Sequence, residues 1–261
     1  MDRRERIAGL TQDKEEAMLL AMVLERITAA QQREIPAWTP FLSQREQMLC
    51  KALLPEGGWQ FFGGSQQAER AMCVYVPEYL EPDWLWSEDS PIAAVRAVFF
   101  GEDRLTHRDF LGSLMGCGIR RETVGDIFVR EGGCDFLVTR EILPYVLQNL
   151  TSAGRTALHL QPLPLSELQA AAPAMKTVRD TVSSLRLDAL VSSGFGLSRA
   201  KAALYIESGK TELNYALCTK PDRAVSQGDT VSVRGLGKLR LTEVGNQTKK
   251  GRIAITVGRL I

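Results

Sequence analysis

Residues 186–233 read RLDALVSSGFGLSRAKAALYIESGKTELNYALCTKPDRAVSQGDTVSV. The pattern predicts a short helix, a glycine-containing loop, a second, basic helix and a small β-hairpin. Ser198 is typical of a helix N-cap, and Gly209 of the residue that follows a helix end. Arg199 and Lys201 then lie in the first turn of the second helix, where unpaired backbone N–H groups attract anions. We therefore expect a phosphate-binding site at this helix start.

Further cations follow in the hairpin and beyond it. Lys201 and Tyr205 are four residues apart, so a base or ribose is expected to stack on Tyr205 beside a phosphate held by Lys201. In residues 234–240 charged and apolar residues alternate, which predicts one basic strand face. The predicted RNA-binding set of this region is Arg186, Ser198, Arg199, Lys201, Tyr205, Lys210, Asn214, Lys220, Arg234, Lys238, Arg240, Lys249, Lys250 and Arg252.

The charge of the chain is unevenly distributed. The 261 residues carry a net charge of +1, but residues 179–261 hold 14 Lys and Arg against 7 Asp and Glu, and residues 1–178 hold 18 against 24. A basic final third in a neutral chain indicates a local site for a polyanion. Chance segregation of surface charge is the alternative.

Several functional classes find no support in the sequence. Five scattered cysteines without a C-x-x-C motif indicate neither a disulfide framework nor a zinc site, and two histidines are too few for a histidine-based metal cluster. Phosphate-binding loops, dinucleotide-binding glycine motifs and nucleophile elbows are absent. We expect no cofactor, no metal and no enzymatic activity. Without a signal peptide or a membrane-spanning stretch, the chain is expected to be cytoplasmic, away from membranes and monomeric.

The N-terminal region, residues 1–70, is predicted to be helical. One helix begins near Thr11 or Asp13, with Glu16 as the partner in a capping box, and apolar residues follow at helical spacing. A second begins at Ser43, with Glu46 three residues later, and ends before Pro55.

The central region, residues 71–165, alternates strands and helices. The order is strand, strand, helix, strand, strand, helix, strand, which predicts a split βαβ (RNA-recognition-like) domain with an extra edge strand. The predicted segments are strands 71–76, 92–100, 123–129, 134–138 and 157–163 and helices from 105 and over 140–150. Residues 161–175 are proline-rich and predict a linker to a small C-terminal domain at 179–261. The expected fold class is therefore α+β.

Arg120 and Arg121 lie on a glycine-flanked loop of the central region. Paired arginines on such a loop are candidates for RNA phosphates. A surface turn in which Arg121 pairs with Asp126 explains them equally well.

Asp188 requires a separate explanation. Arg186-Leu187-Asp188 followed by residues 192–194 (SSG) is superficially similar to the signature around the catalytic aspartate of RNA pseudouridine synthases, but the spacing is longer by one residue. The segment also belongs to the small helical module itself. We therefore interpret Asp188 as a carboxylate that starts a helix or forms an ion pair.

The C-terminal motif resembles the S4-like RNA-binding domain. The elements of the resemblance are Arg186–Asp188, Ser198, Arg199, Ala202, Ile206, Gly209, Lys210, Asn214, Pro221, Gly228 and Asp229. From about residue 60 onward the chain is similar to the YlmH family, on the motifs at 105–112, 118–127, 234–238 and 249–252. This resemblance implies a helical N-terminal part, a central RNA-recognition-like domain and a C-terminal S4-like αβ domain.

The resemblance also implies partners and a function. The expected partners are rRNA and tRNA on the large ribosomal subunit that carries stalled peptidyl-tRNA, in ribosome-associated quality control. Residues and resemblance together predict a non-enzymatic RNA-binding protein that recognises shape. An RNA-modifying enzyme of the pseudouridine-synthase type and a cell-division adaptor are the alternatives.

Overall fold

The structure is a computed structural model that describes residues 2–81, 83–99, 104–170, 175–248 and 251–260. The chain separates into two compact units, Met1–Ala171 and Ala172–Ile261. Both units contain helices and antiparallel sheets, so the predicted α+β class is confirmed. Within the described ranges, no helix combines the length and apolar character that crossing a bilayer requires.

The first unit begins with three helices and a small sheet. Their bounds are α1 (Arg3–Ala8), α2 (Lys14–Arg33), β1 (Ala37–Trp38), α3 (Gln44–Leu53), β2 (Trp59–Phe62) and β3 (Met72–Tyr75). Helix α2 starts where the sequence predicts, because the Asp13 side chain accepts hydrogen bonds from the amides of Glu15 and Glu16. The predicted capping box of Ser43 and Glu46 starts α3.

Strand β3 corrects one prediction. The sequence assigns the strand 71–76 to the central region, but β3 pairs with β1 and β2 in the order β1-β3-β2. The strand therefore belongs to the N-terminal sheet. Its apolar alternation carried no information about which neighbour it pairs with.

The central part of the first unit has the predicted split βαβ order. Its elements are β4 (Ile92–Val98), α4 (His107–Gly116), β5 (Val124–Arg130), β6 (Gly133–Thr139), α5 (Leu143–Asn149), β7 (Ser152–Ala153), β8 (Thr156–Ala157) and β9 (His159–Leu163). The sheet order is β5-β6-β4-β9, and every neighbouring pair is antiparallel. The first and third strands of this sheet, β4 and β6, are thus central and the second and fourth, β5 and β9, are outer, as in the split βαβ motif.

Both faces of the central sheet are buried. Val95, Phe136 and Val138 pack with α4 and α5 in one apolar cluster. On the opposite face, Ala94 and Leu137 pack in a second cluster that includes side chains of the N-terminal sheet. The predicted boundary at residue 70 consequently lies inside one compact unit, because the two sheets share a core.

The second unit packs two helices on one face of a six-stranded sheet. Its elements are β10 (Met175–Val182), α6 (Leu187–Phe195), α7 (Arg199–Glu207), β11 (Thr211–Leu213), β12 (Ala216–Leu217), β13 (Thr230–Val233), β14 (Gly237–Gln247) and β15 (Ile253–Leu260). The antiparallel order is β10-β15-β14-β13-β11-β12. Strand β10 starts before the predicted boundary at 179. The proposed linker 161–175 is partly structured, since β9 continues to Leu163 and a 3₁₀ turn covers Leu165–Glu167.

The core of the second unit lies between the helices and the sheet. Leu190 and Ile206 of the helices and Leu239 and Leu241 of β14 are all buried in one cluster. A Cβ atom on Gly194 would lie 2.5 Å from Cδ1 of Leu239, so only glycine permits α6 to approach β14 this closely. Because successive side chains of a strand point to opposite faces, Lys238 and Arg240 lie on the solvent face of the sheet.

Candidate nucleic-acid interface

The two helices of the second unit meet at the predicted loop. Gly196 ends α6 with φ of 67°, a left-handed conformation that glycine adopts without strain. Ser198 is the N-cap of α7, and its hydroxyl accepts a hydrogen bond from the Lys201 amide at 3.3 Å. The serine hydroxyl therefore caps the helix. Arg199 and Lys201 lie in the first turn, as the sequence predicts, and both are exposed.

Asp188 holds two arginines at this junction. Nη2 of Arg199 donates to both carboxylate oxygens of Asp188 at 2.8 Å. Arg186 donates to the same carboxylate from Nε at 3.2 Å and from Nη2 at 3.3 Å. The Asp188 side chain is only 10% exposed, whereas those of Arg186 and Arg199 are 41% and 47% exposed. One carboxylate thus orients two cations that keep a net positive charge and a solvent-facing side.

The start of α6 is closed to anions. The amide of Leu187 donates to the carbonyl of Arg223, and the amide of Asp188 donates to the carbonyl of Pro221, both at 2.9 Å. These are the first N–H groups of the helix, so the 220–224 loop satisfies them. Arg223 is an exposed cation of this loop. Its neighbour in the sequence, Ala224, forms an isolated antiparallel β-bridge with Arg186. Sequence reasoning missed Arg223, because a single cation in a turn carries no periodic signal.

Tyr205 has a different partner from the one expected. Its ring packs partly into the core of the second unit, and Nζ of Lys210 lies 5.7 Å from the ring centroid. Lys210 is also adjacent to Arg234, whose amide donates to the Lys210 carbonyl at 2.8 Å. The structure therefore brings Lys210, Arg234 and Tyr205 together where β11 begins and β13 ends. The Tyr205 ring thus combines packing against the core with a contact to Lys210, and base stacking beside Lys201 stays a prediction.

Asn214 is a structural turn residue, which corrects its assignment to the RNA-binding set. Its side-chain amide donates to Asp229 at 2.8 Å, and its side-chain oxygen accepts from the amide of Thr230 at 2.9 Å. Asn214 and Tyr215 have φ of 49° and 62°. They form the two-residue turn between β11 and β12, where both positions of the favoured turn require positive φ. Both hydrogen-bonding ends of the Asn214 amide are therefore used within the protein.

Residues of the predicted RNA-binding set lie on both faces of the sheet. Arg186, Arg199 and Lys201 belong to the helix-bearing side, and Lys238 and Arg240 to the solvent face. On that face Nζ of Lys238 lies 5.6 Å from the ring centroid of Tyr215. Tyr215 was not among the predicted residues, although an Asn-Tyr pair at a hairpin tip, where Asn-Gly is favoured, is a readable signal.

The remaining cations of the set differ in their surroundings. Lys220 is exposed beside the loop that closes α6. Arg252 donates from Nε to the hydroxyl of Thr181 at 2.9 Å and from Nη2 to the Thr181 carbonyl, so its guanidinium ties the β14–β15 turn to β10. Lys249 and Lys250 lie outside the described residues.

The two arginines of the central loop have separate roles. Arg121 donates to the carbonyls of Val124 and Gly125 at 2.6 and 3.5 Å. Burial and the nearby Arg70 lower the pKa of Arg121 to about 10. Arg121 therefore supports the loop, which corrects its assignment as an RNA contact. The Arg120 side chain is 74% exposed and pairs with Glu122 at 3.2 Å, so an acid offsets its charge.

Asp126 accepts hydrogen bonds from the amides of Glu69 and Arg70, at 2.7 and 3.1 Å. Arg70 in turn donates to the Phe41 carbonyl at 2.7 Å. These bonds fasten the segment before β3 to β5. In the alternative interpretation of this loop Arg121 pairs with Asp126; the hydrogen bonds of both side chains go instead to backbone groups, and Asp126 acts on Arg121 only through its charge.

Taken with the fold, these sites define a two-unit α+β protein whose second unit presents ordered cations suited to a polyanion. The family model YlmH_RBD, described as "Putative RNA-binding domain in YlmH", matches residues 100–167. The Bacillus subtilis (strain 168) protein named ribosome-associated protein quality control protein P2 is 32% identical over 249 residues, which cover 94% of this chain and 96% of that protein. The chain belongs to the YlmH family.

A solved structure is also similar. The cell division protein ylmH from Streptococcus pneumoniae is 24% identical, with a TM-score of 0.48, and the match covers 60% of this chain and 96% of that chain.

Proposed function

We propose that this protein binds structured RNA on the ribosome, acts in ribosome-associated quality control and catalyses no reaction. The observation that carries the proposal is the pair of arginines on Asp188, with Lys201 in the same helix turn. The name of the Bacillus subtilis relative and the description of the matching family model support it.

The arrangement suits backbone phosphates. Asp188 orients both guanidinium groups before any ligand arrives, which lowers the entropy lost on binding. A guanidinium presents several N–H donors in a plane and binds phosphate oxygens in pairs. Lys201 adds a third, flexible cation in the adjoining turn. Contacts of this kind recognise the shape and charge of a folded RNA, because phosphates carry no base identity.

More specifically, we propose that the protein binds the large ribosomal subunit that carries stalled peptidyl-tRNA, and that it contacts both rRNA and tRNA there. On this proposal the protein acts as a monomer in the cytoplasm. The S4-like resemblance of residues 186–229 and the relative's name favour this assignment over an enzyme or an adaptor.

On this proposal the central part of the first unit contacts RNA differently from a typical RNA-recognition domain. Such domains stack bases on the open face of their four-stranded sheet. Here that face packs against the N-terminal sheet. We infer that RNA reaches the side of α4, where Arg108 is exposed and a Cβ on Gly112 or Gly116 would meet nothing within 4 Å. An uncovered helix backbone permits close approach.

Co-sedimentation of the full chain with ribosomes tests the proposal. The contact between the exposed Lys201 and an RNA phosphate contributes about 1 kcal/mol at a water-like dielectric constant, and Lys201→Glu turns it into a repulsion of similar size. The affinity for ribosomes should therefore fall roughly 10- to 30-fold. Loss of one phosphate contact should also reduce the log–log salt slope by about 0.9 for a duplex. Lys14→Glu is the matched control, because Lys14 is exposed in the first turn of α2 in the other unit.

Equal binding by the Lys201→Glu and wild-type proteins would contradict the proposal. Binding to a partner protein in the absence of ribosomes, if it survives ribonuclease treatment, would favour the cell-division adaptor. New modified bases in rRNA after incubation with the protein would favour the RNA-modifying enzyme.

A further inference from the structure

Tyr215 occupies a backbone conformation that its side chain does not favour. Its φ is 62°, in the left-handed region, at the second position of the turn between β11 and β12. Glycine adopts this conformation at no steric cost, whereas a bulky residue there is uncommon and strained. Local strain of this kind persists where the surrounding structure enforces it and is concentrated at functional positions. The ring is therefore retained at a cost in backbone energy.

The surrounding residues hold the turn firmly. Asn214 bonds to Asp229 and to the Thr230 amide, and its own amide donates to the Thr230 carbonyl at 2.8 Å. These bonds fasten the tip of the hairpin to the start of β13. The position of the ring at Tyr215 is thus determined by the fold of the second unit.

Core packing does not account for the ring. Tyr205 packs against the apolar cluster of the second unit, but Tyr215 is not among the described residues that do so. Lys238 lies on the solvent face of the sheet, and its Nζ lies 5.6 Å from the Tyr215 ring centroid. The ring it contacts must lie over that same face, and Tyr215 remains partly exposed.

The solvent face around the ring favours a nucleic acid. Lys238 and Arg240 lie on it, opposite Ser232 and Thr230 of the neighbouring strand, and Glu212 is the acid in the same cross-strand row as Lys238. An aromatic ring with cations beside it offers a stacking surface for a base and a contact for its phosphate.

We propose that Tyr215, with Lys238 against its ring, is a stacking platform for an unpaired RNA base. The proposal rests on the RNA-binding function proposed above and adds a residue that selects single-stranded over paired nucleotides. The base stacks on the ring, and the cation of Lys238 both holds the ring and faces the backbone phosphate.

Substitution by glycine separates the ring from the backbone. Tyr215→Gly removes the ring and relieves the positive φ, so the melting temperature of the full chain should stay the same or rise. Its affinity for a short oligoadenylate should fall roughly 5- to 100-fold. Affinity for a duplex RNA of equal length should not change. Tyr215→Phe keeps the ring and should bind oligoadenylate like the wild type.

Glu34→Gly is the matched control. Glu34 has φ of 52° at the exposed C-cap of α2, so the substitution relieves the same kind of strain in the first unit without altering the second. It should leave both RNA affinities unchanged.

Salt dependence distinguishes this proposal from the proposed function. Tyr215→Gly should weaken binding with the log–log salt slope unchanged, because stacking releases no counterions, whereas Lys201→Glu should reduce the slope. Unchanged oligoadenylate affinity in Tyr215→Gly, with Lys201→Glu still weaker, overturns the stacking proposal alone. Unchanged binding in both variants overturns both proposals. A lower melting temperature together with lost affinity would assign the ring to packing and also overturn the stacking role.

Discussion

Arg199 is expected to contribute to stability as well as to RNA binding. The substitution Arg199→Gln removes the two 2.8 Å hydrogen bonds that its Nη2 donates to Asp188. Asp188 then keeps the hydrogen bond from the Ala189 amide at 2.8 Å and the pair with Arg186, whose nitrogens lie at the longer distances of 3.2 and 3.3 Å. A carboxylate that is mostly buried therefore loses its better partner.

The magnitude follows from the burial of the two groups. Breaking a fully buried ion pair costs about 3–5 kcal/mol, and an exposed pair contributes about 0–1 kcal/mol. The Asp188 side chain is 10% exposed and that of Arg199 is 47% exposed, so this pair lies between these limits. Solvent screening at Arg199 and the remaining bond to Arg186 reduce the loss. We expect about 2 kcal/mol.

Hydrogen exchange of the α6 and α7 amides is the appropriate assay. The four tryptophans of the chain lie at 38, 59, 84 and 86, so tryptophan fluorescence reports on the first unit only. Lys201→Gln is the control, because it removes an exposed charge in the same helix turn and should change stability by less than about 0.5 kcal/mol. A double-mutant cycle with Asp188→Asn should give a coupling energy of about 1–2 kcal/mol. Additive effects in the cycle, or equal losses in Arg199→Gln and Lys201→Gln, would refute the reasoning.

Two further predictions concern the first unit. Asp135 is fully buried and accepts from Arg96 and Arg130 at 2.8 and 2.9 Å, so Asp135→Asn should lower the free energy of unfolding by about 3 kcal/mol, measured by tryptophan fluorescence. Burial alone would raise the pKa of Asp135, but bonds from Arg96, the Gln169 amide and Arg130 hold it below its ordinary value. The stability that this carboxylate contributes is therefore fully present above pH of about 4 and is lost as the pH falls through the lowered pKa. The Asp135→Asn variant should lose less stability in acid than the wild type, and an equal loss would contradict the assignment. Burial raises the pKa of Cys50 and of Cys73 to about 12, so maleimide at neutral pH should label both only after unfolding; rapid labelling of the native chain would disprove their burial.

Local sequence signals predicted the starts of α2, α3 and α7 and the order of the central elements, but not α1, β1 and β2. Ser43 with Glu46 and Ser198 with the Lys201 amide start helices where the sequence indicates, because capping depends on residues three apart. The same signals did not show that β3 pairs with the N-terminal strands, since strand partners are chosen by contacts between distant residues.

Residue type alone also left the roles of the cations undecided. Arg121 and Asn214 matched the predicted RNA-binding set by type and position, yet the fold commits both side chains to partners within the protein. Tyr215 was missed for the converse reason, because its importance lies in a positive φ and in a lysine two strands away in the sheet.

Helix caps, strand alternation, the basic final third and the α+β order were readable in the linear chain, because each depends on neighbours within a few residues or on composition. The tertiary structure alone decided that the central sheet has no free face, that Asp188 holds two arginines and that the cations divide between two faces of one sheet. Those outcomes depend on which distant side chains compete for the same buried space or the same carboxylate, and local sequence patterns do not record that competition.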